Sequence, residues 1–291
     1  MLLPPETLAR LERLTLLSRR ALAGQLQGER RSPKRGQSIE FADFRPYTPG
    51  DDFRRIDWNA YARLERLFIK LFVEEEDLTV HLLVDTSRSM DWGNPNKLRF
   101  AKQAAAALGY VALHGLDRVT VTAFAPDGAP APRFPARRGK AAAPALFAFL
   151  ESLPLSPRTD LGPRLARYAF RAVQRGPALL LSDLLDPTWR DGLHALAARG
   201  FEVTVLHVLS PQERDPDLHG DLKLRDAESG ETLELSVDES ALRRYRQTLA
   251  AWEREVAAFC RSRGILYLPT SSDTPLETLL FAHLAARGLV R

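Results

Sequence analysis

The chain has 291 residues, 45% hydrophobic and 8% aromatic, enough for one large domain or two ordinary ones with a normal core. One cysteine excludes an internal disulfide framework. No charge-free apolar run approaches the ~20 residues of a membrane span, and Glu6, Arg10, Glu12 and Arg13 stand where a secretory core would be apolar, so the expectation is a soluble cytoplasmic protein.

The net charge of +4 is unevenly spread: residues 10–35 hold eight basic and two acidic side chains, leaving the remainder slightly acidic. Leu8, Leu11, Leu14, Leu17 and Leu22 predict an amphipathic helix over 6–23. Gly24, Gly28, Ser32, Pro33 and Gly36 then mark a loop. Residues 1–35 read as a basic helix and linker, which either contacts nucleic acid, anionic lipid or an acidic protein, or is a solvated face.

Residues 36–76 form a separate accessory block. Its densest part, 44–58, is rich in aromatic, charged and turn residues. Pro49-Gly50 predicts a turn, and Asp51 or Asp52 a cap for a short helix near Phe53. Arg54 and Arg55 are placed to pair with Asp57, while Trp58 and Tyr61 offer apolar area to pack the block onto the following domain. Asp51, Asp52 and Asp57 read first as caps and ion pairs, with a metal or catalytic role as the alternative.

From residue 77 to 291 strands alternate with helices, which predicts a mostly parallel sheet with right-handed crossovers. Strands are expected at 78–85, 118–125, 178–183, 201–209 and 265–268. Helices are expected at 96–114, 143–152, 161–174, 188–199, 239–263 and 275–287, with a Pro-rich turn region at 126–135. Leu222, Leu224, Leu233 and Leu235 around Ser229-Gly230 predict a β-hairpin inserted near 221–237. Cys260 shares a helical face with Trp252, Val256 and Phe259 and reads as core; His81 and His207 lie within strands and read as hydrogen-bonded core residues.

The most informative stretch is the first strand of this domain. An aliphatic run from Leu78 to Val84 ends in Asp85, followed by Ser87 and Ser89. In an open α/β sheet ligands bind beyond the carboxyl ends of the strands, and a hard divalent cation wants oxygen ligands. Asp and Ser are also ordinary turn and capping residues. Suitable groups recur, however, at Thr159 and Asp160 and at Asp183, which closes the run 178–183.

The D-x-S-x-S pattern resembles the first motif of the metal-ion-dependent adhesion site of von Willebrand factor A domains, with a later Thr and a later Asp in the same order. The resemblance implies an α/β fold: a von Willebrand factor A-like, doubly wound, mostly parallel sheet flanked by helices. It also implies a metal site in which Ser87, Ser89 and Thr159 bind Mg²⁺ or Mn²⁺ directly while Asp85 and Asp183 hold coordinating waters. Whether Asp160 or Asp186 substitutes for, or supports, these ligands stays open. The string Arg45-x-Tyr47-x-x-Gly50-Asp51-Asp52-x-Arg54-x-Ile56-Asp57-Trp58, with Ala62-Arg63 and Glu74-Glu75, resembles the signature of the domain-of-unknown-function 58 family. Many members of that family carry transmembrane helices ahead of the signature; a basic helix stands there in this chain. The resemblance implies a partnership with a MoxR-type AAA+ ATPase.

Other chemistries lack their residues. A haloacid-dehalogenase site needs a second Asp where Ser87 stands, and there is neither a G-x-x-x-x-G-K-[ST] loop nor an H-E-x-x-H cluster. The expected function is therefore a non-enzymatic, metal-dependent adaptor that captures an Asp or Glu of its partner. The alternative is a nucleic-acid or anionic-surface binder acting through the basic arm.

Overall fold

The computed structural model describes residues 2–16, 39–49, 51, 53, 56–74, 78–124, 130–157 and 160–291. The chain forms two compact units, one of residues 1–18 with 78–291 and one of residues 19–77.

The N-terminal helix α1 spans only Pro5–Leu11, shorter than the leucine spacing predicts. Leu14 and Leu16 are buried, and Leu16 forms an antiparallel bridge with Val290. The reason is tertiary: backbone pairing of Thr15 with Arg291, at 2.8 and 2.9 Å, satisfies groups that a longer helix would have satisfied internally. Residues 2–16 thus pack into the larger unit, where the sequence reading set them apart as an arm. Residues 17–38, which carry most of the basic arm, lie outside the described residues.

In the smaller unit, strands β1 (Ile39–Pro46) and β2 (Phe68–Glu74) pair antiparallel, with an irregularity between Phe41 and Asp43. Helix α2 (Trp58–Leu64) is capped by Asp57, whose carboxylate accepts from the Asn59 and Ala60 N–H groups. The short helix expected near Phe53, with Asp52 as one of its two possible caps, falls largely outside the described residues. Asp51 instead receives both nitrogens of the Arg45 guanidinium, at 2.8 and 2.6 Å, and the Thr48 hydroxyl. The Arg45 guanidinium and the two Thr48 donors hold its carboxyl well below the usual carboxylate range. Trp58 and Tyr61 are exposed and meet edge to face. Asp52, Arg54 and Arg55 lie outside the described residues.

The larger unit is built on a six-stranded sheet. In chain order its elements begin with β3 (Thr79–Val84), α3 (Lys97–His114), β4 (Arg118–Ala123), β5 (Arg133–Arg138), α4 (Ala143–Ser152), α5 (Leu161–Arg171) and β6 (Pro177–Ser182). They continue with α6 (Trp189–Ala198), β7 (Glu202–Leu209), the single turn α7 (Pro211–Arg214), β8 (Gly220–Arg225), β9 (Thr232–Val237), α8 (Glu239–Ser262) and β10 (Leu266–Ser271). A π-helical segment, Thr278–Leu284, stands where an α-helix was expected.

The strand order is β10-β7-β6-β3-β4-β5, parallel throughout except for the β5 edge. Strands β3 and β6 are buried along their whole length, as aliphatic runs covered on both faces should be. Val80, Leu82 and Val84 face a core made with α1, α3 and α4, while Leu83 faces one made with α5, α6 and α8. The architecture is thus the von Willebrand factor A-like α/β sandwich. From β3 the chain moves outward to β4 and β5, then returns to lay β6 on the other side of β3. This reversal leaves a crevice at the carboxyl ends of β3 and β6.

Candidate functional site at the carboxyl ends of the central strands

Asp85 follows β3 and Asp183 follows β6. Parallel register sets Val84 beside Leu181, and the Asp85 N–H donates to Leu181 O at 3.0 Å. The two carboxylates are consequently neighbours with under 3% exposure each. Asp85 Oδ1 accepts from the Ser87 N–H at 3.0 Å, and Oδ2 from the Ser182 hydroxyl at 2.7 Å. Burial, and then the charge of Asp183, push the Asp85 carboxyl up to about 6 against the lowering effect of those bonds.

The hydroxyls of Ser87 and Ser89 lie 2.9 Å apart. Their loop is pinned from three sides. Met90 is fully buried and bonded back to Ser87 O, the Thr86 hydroxyl donates to Phe124 O, and Ser156 bridges to Ser87 through a bond from its N–H to Thr86 O. Thr159, the third expected hydroxyl ligand, lies outside the described residues. The chain just beyond it is held by Asp186, whose carboxylate accepts from the Leu161 N–H at 3.0 Å and the Thr188 N–H at 2.7 Å. Asp186 therefore anchors the start of α5 and the turn into α6. The Asp160 carbonyl accepts from the Arg164 N–H at 3.2 Å.

Asp183 has neighbours that sequence reasoning missed. The Lys97 ammonium, its side chain wholly shielded from solvent, lies 2.8 Å from Asp183 Oδ2 and 2.5 Å from Glu213 Oε1. Burial alone would lower the Lys97 pKa, but the two carboxylates outweigh it and hold the amine charged. Glu213 is itself fixed by a capping box with Ser210. His207 Nε2 lies 3.0 Å from Asp183 O; the carbonyl can only accept, so Nε2 carries the proton and Nδ1 accepts from the Tyr267 hydroxyl at 2.6 Å. Directly after Asp183, the buried Leu184 adopts a left-handed backbone at φ 54°, a conformation costing on the order of 1–2 kcal/mol for a residue with a Cβ. The Leu184 N–H donates to Ser182 Oγ, so one hydroxyl ties this turn to Asp85.

Two of these groups had a readable signal. Ser210-Pro-Gln-Glu213 is a capping-box spacing, and Lys97 opens α3 one turn before Ala101 on the face that the Ala-rich run buries. Ser182 had none beyond ending an aliphatic strand.

Charge and spacing define what this arrangement can hold. Asp85, Asp183 and Glu213 set three carboxylates against one ammonium, a formal −2 in a largely buried cluster. An octahedral ion with metal–oxygen distances of about 2.0–2.1 Å has an edge of about 2.9 Å, the separation of the two serine oxygens. Among the described residues, no group of three or more His, Cys, Asp or Glu could hold a metal ion. These residues fit Mg²⁺ or Mn²⁺ better than a softer metal.

The crystal structure of BatB from Bacteroides thetaiotaomicron is 18% identical, with a TM-score of 0.43 over 72% of this chain and 98% of that one. The SpRpn10 VWA domain is 12% identical, with a TM-score of 0.40 over 71% of this chain and 94% of that one. Uncharacterized protein Rv1480 of Mycobacterium tuberculosis is 33% identical over 98% of this chain and 91% of its own length. Uncharacterized protein Mb1516 of Mycobacterium bovis shows the same identity and coverage. A family model described as "Protein of unknown function DUF58" matches residues 43–256, and with it the chain belongs to the DUF58 family.

Proposed function

We propose that this protein is a non-enzymatic interaction module that binds a carboxylate of its partner in a metal-dependent way. The partner is a MoxR-type AAA+ ATPase or another protein supplying an Asp or Glu. The von Willebrand factor A-like fold supports an interaction module, and the family resemblance motivates the ATPase. The observation that carries the metal dependence is the Ser87–Ser89 oxygen pair, 2.9 Å apart, beside the buried −2 cluster. Ser87, Ser89 and Thr159 would hold Mg²⁺ or Mn²⁺ directly, with Asp85 and Asp183 behind them. When bound, such an ion supplies an electrophilic position that a carboxylate can complete.

The chain's own residues do the rest. Ser182 and the Ser87 N–H orient Asp85. Lys97 neutralises one carboxylate charge permanently, which limits the repulsion that the cluster must bear without metal. His207 and the left-handed Leu184 turn fix the backbone of Asp183. The groups converging here are carboxylates, hydroxyls and a paired ammonium, an arrangement that holds an ion and a ligand in place.

The test is calorimetric titration of Mg²⁺ and Mn²⁺ into wild type and Asp85→Asn, followed by affinity capture of a co-expressed MoxR-type ATPase. Wild type is expected to bind the ion and to retain the ATPase only in its presence, while Asp85→Asn does neither. Undiminished metal binding by Asp85→Asn would overturn the site assignment. Retention in chelator equal to that in Mg²⁺ would overturn the metal dependence.

A further inference from the structure

The β8–β9 hairpin contributes little to the core. Its strands are exposed at nearly every position, and Leu233 is 64% exposed. Its tip, by contrast, is carefully built. Asp226 Oδ1 accepts from the N–H groups of Glu228 at 2.9 Å and Ser229 at 2.6 Å, and the Gly230 N–H closes onto Asp226 O at 3.0 Å. Gly230 takes φ 75° to complete the turn, a backbone that favours glycine. Glu228 is half-buried while its neighbours Asp226, Ala227 and Ser229 are exposed.

The Glu228 carboxyl lies beside Ser89: burial raises its pKa and outweighs the lowering effect of the Ser89 hydroxyl and N–H. It also feels the charge of Asp183. A groove of about 580 Å³ runs here, with Arg88, Asp91, Trp92 and Leu155 on one wall and the hairpin tip on the other. The hairpin therefore delivers a carboxylate to one of the two serines assigned as metal ligands.

We propose that the hairpin tip is the site's internal ligand. Glu228 takes the position that a partner's carboxylate would take, and an acidic partner segment engages the groove by displacing it. This inference rests on the metal-site reading above. Physically, a further carboxylate beside Asp85, Asp183 and Glu213 is disfavoured without a cation and favoured with one. Tethering gives Glu228 an effective concentration on the order of millimolar, so a free competitor must bind better than that to displace it. The partner chemistry follows from what already fits: an acidic side chain on a tight turn flanked by small residues, as in Asp226-Ala227-Glu228-Ser229-Gly230. Trp92 and Leu155, exposed on the opposite wall, offer apolar contact to a partner longer than the hairpin tip.

The experiment uses the full chain as wild type, Glu228→Gln, Asp85→Asn and the hairpin control Glu234→Gln. Glu234 is an exposed strand residue paired with Lys223. Mn²⁺ is titrated into each, and a capped peptide of residues 225–230 is then titrated in saturating Mn²⁺. The expected result is that Glu228→Gln keeps metal binding and binds the peptide at least about tenfold more tightly than wild type or Glu234→Gln, since the tethered competitor is gone. Equal peptide affinity for wild type and Glu228→Gln, with metal binding intact and lost in Asp85→Asn, overturns the hairpin proposal and leaves the metal site standing. Absence of Mn²⁺ binding to wild type overturns both.

Discussion

Replacing Lys97 with Met removes the ammonium buried between Asp183 and Glu213 while keeping most of its stem. The ammonium lies 2.8 Å from Asp183 and 2.5 Å from Glu213, and its side chain is 0% exposed. Removing one partner of a buried ion pair costs about 3–5 kcal/mol, because the remaining charge is left uncompensated. Glu213 keeps 19% of its side chain in water, which relieves part of that penalty and places the expectation near the lower end, about 3 kcal/mol. For a domain of this size each kcal/mol moves Tm by about 2–4 °C, so Lys97→Met should melt roughly 6–12 °C below wild type in chelator. The same substitution takes the cluster from a formal −2 to −3, so Mg²⁺ should raise the Tm of the variant more than that of wild type. Scanning calorimetry with and without Mg²⁺ reads both quantities. A variant melting within about 2 °C of wild type in chelator would refute the role of Lys97 as the cluster's counter-charge, and an unchanged Mg²⁺ response would refute the coupling to metal.

The remaining predictions concern the scaffold. Burial, and then the charge of Arg133, lower the His81 pKa from 6.5 to about 4. Above pH 6.5 the residue is neutral in both states; as pH falls from 6.5 towards 4 the unfolded chain takes up a proton that the folded one refuses, and stability is lost. The loss at pH 5 relative to pH 8 should be about 2 kcal/mol for this residue, and urea denaturation at both pH values should show His81→Leu recovering it. His81→Leu should also cost about 1 kcal/mol at pH 8, through the bond to the Tyr168 hydroxyl; an undiminished pH dependence in the variant would contradict the assignment. A Cβ on Gly162 would stand 2.6 Å from the backbone oxygen of Thr188. Gly162→Ala should therefore destabilise by about 1–3 kcal/mol, whereas Gly115→Ala, with nothing nearer than 3.5 Å, should be tolerated; equal melting temperatures would show that the α5–α6 contact yields freely.

Much of this protein was legible in the sequence because its strands and helices bury themselves by local rules. Aliphatic runs ending in Asp85 and Asp183 gave the two central strands, periods of three and four gave the helices that cover them, and Ser229-Gly230 marked the hairpin. Asn96 caps α3 through a bond from the Arg99 N–H, as its short polar side chain before an Ala-rich run suggests. Cys260 is buried, its thiol pushed up to about 12, as its place on an apolar helix face implied. Strand β5 was missed because Arg133-Phe-Pro-Ala-Arg-Arg138 reads as a turn; its proline is tolerated only because this is the antiparallel edge of the sheet. What the tertiary structure alone decided is the electrostatics of the site. Lys97, Glu213, Ser182 and Glu228 reach it from a helix, a one-turn cap, a strand end and a hairpin tip. No local period relates those positions: they are neighbours because the strand order turns back across the parallel pair β3 and β6, and only assembly of the sheet with its connections brings their charges together.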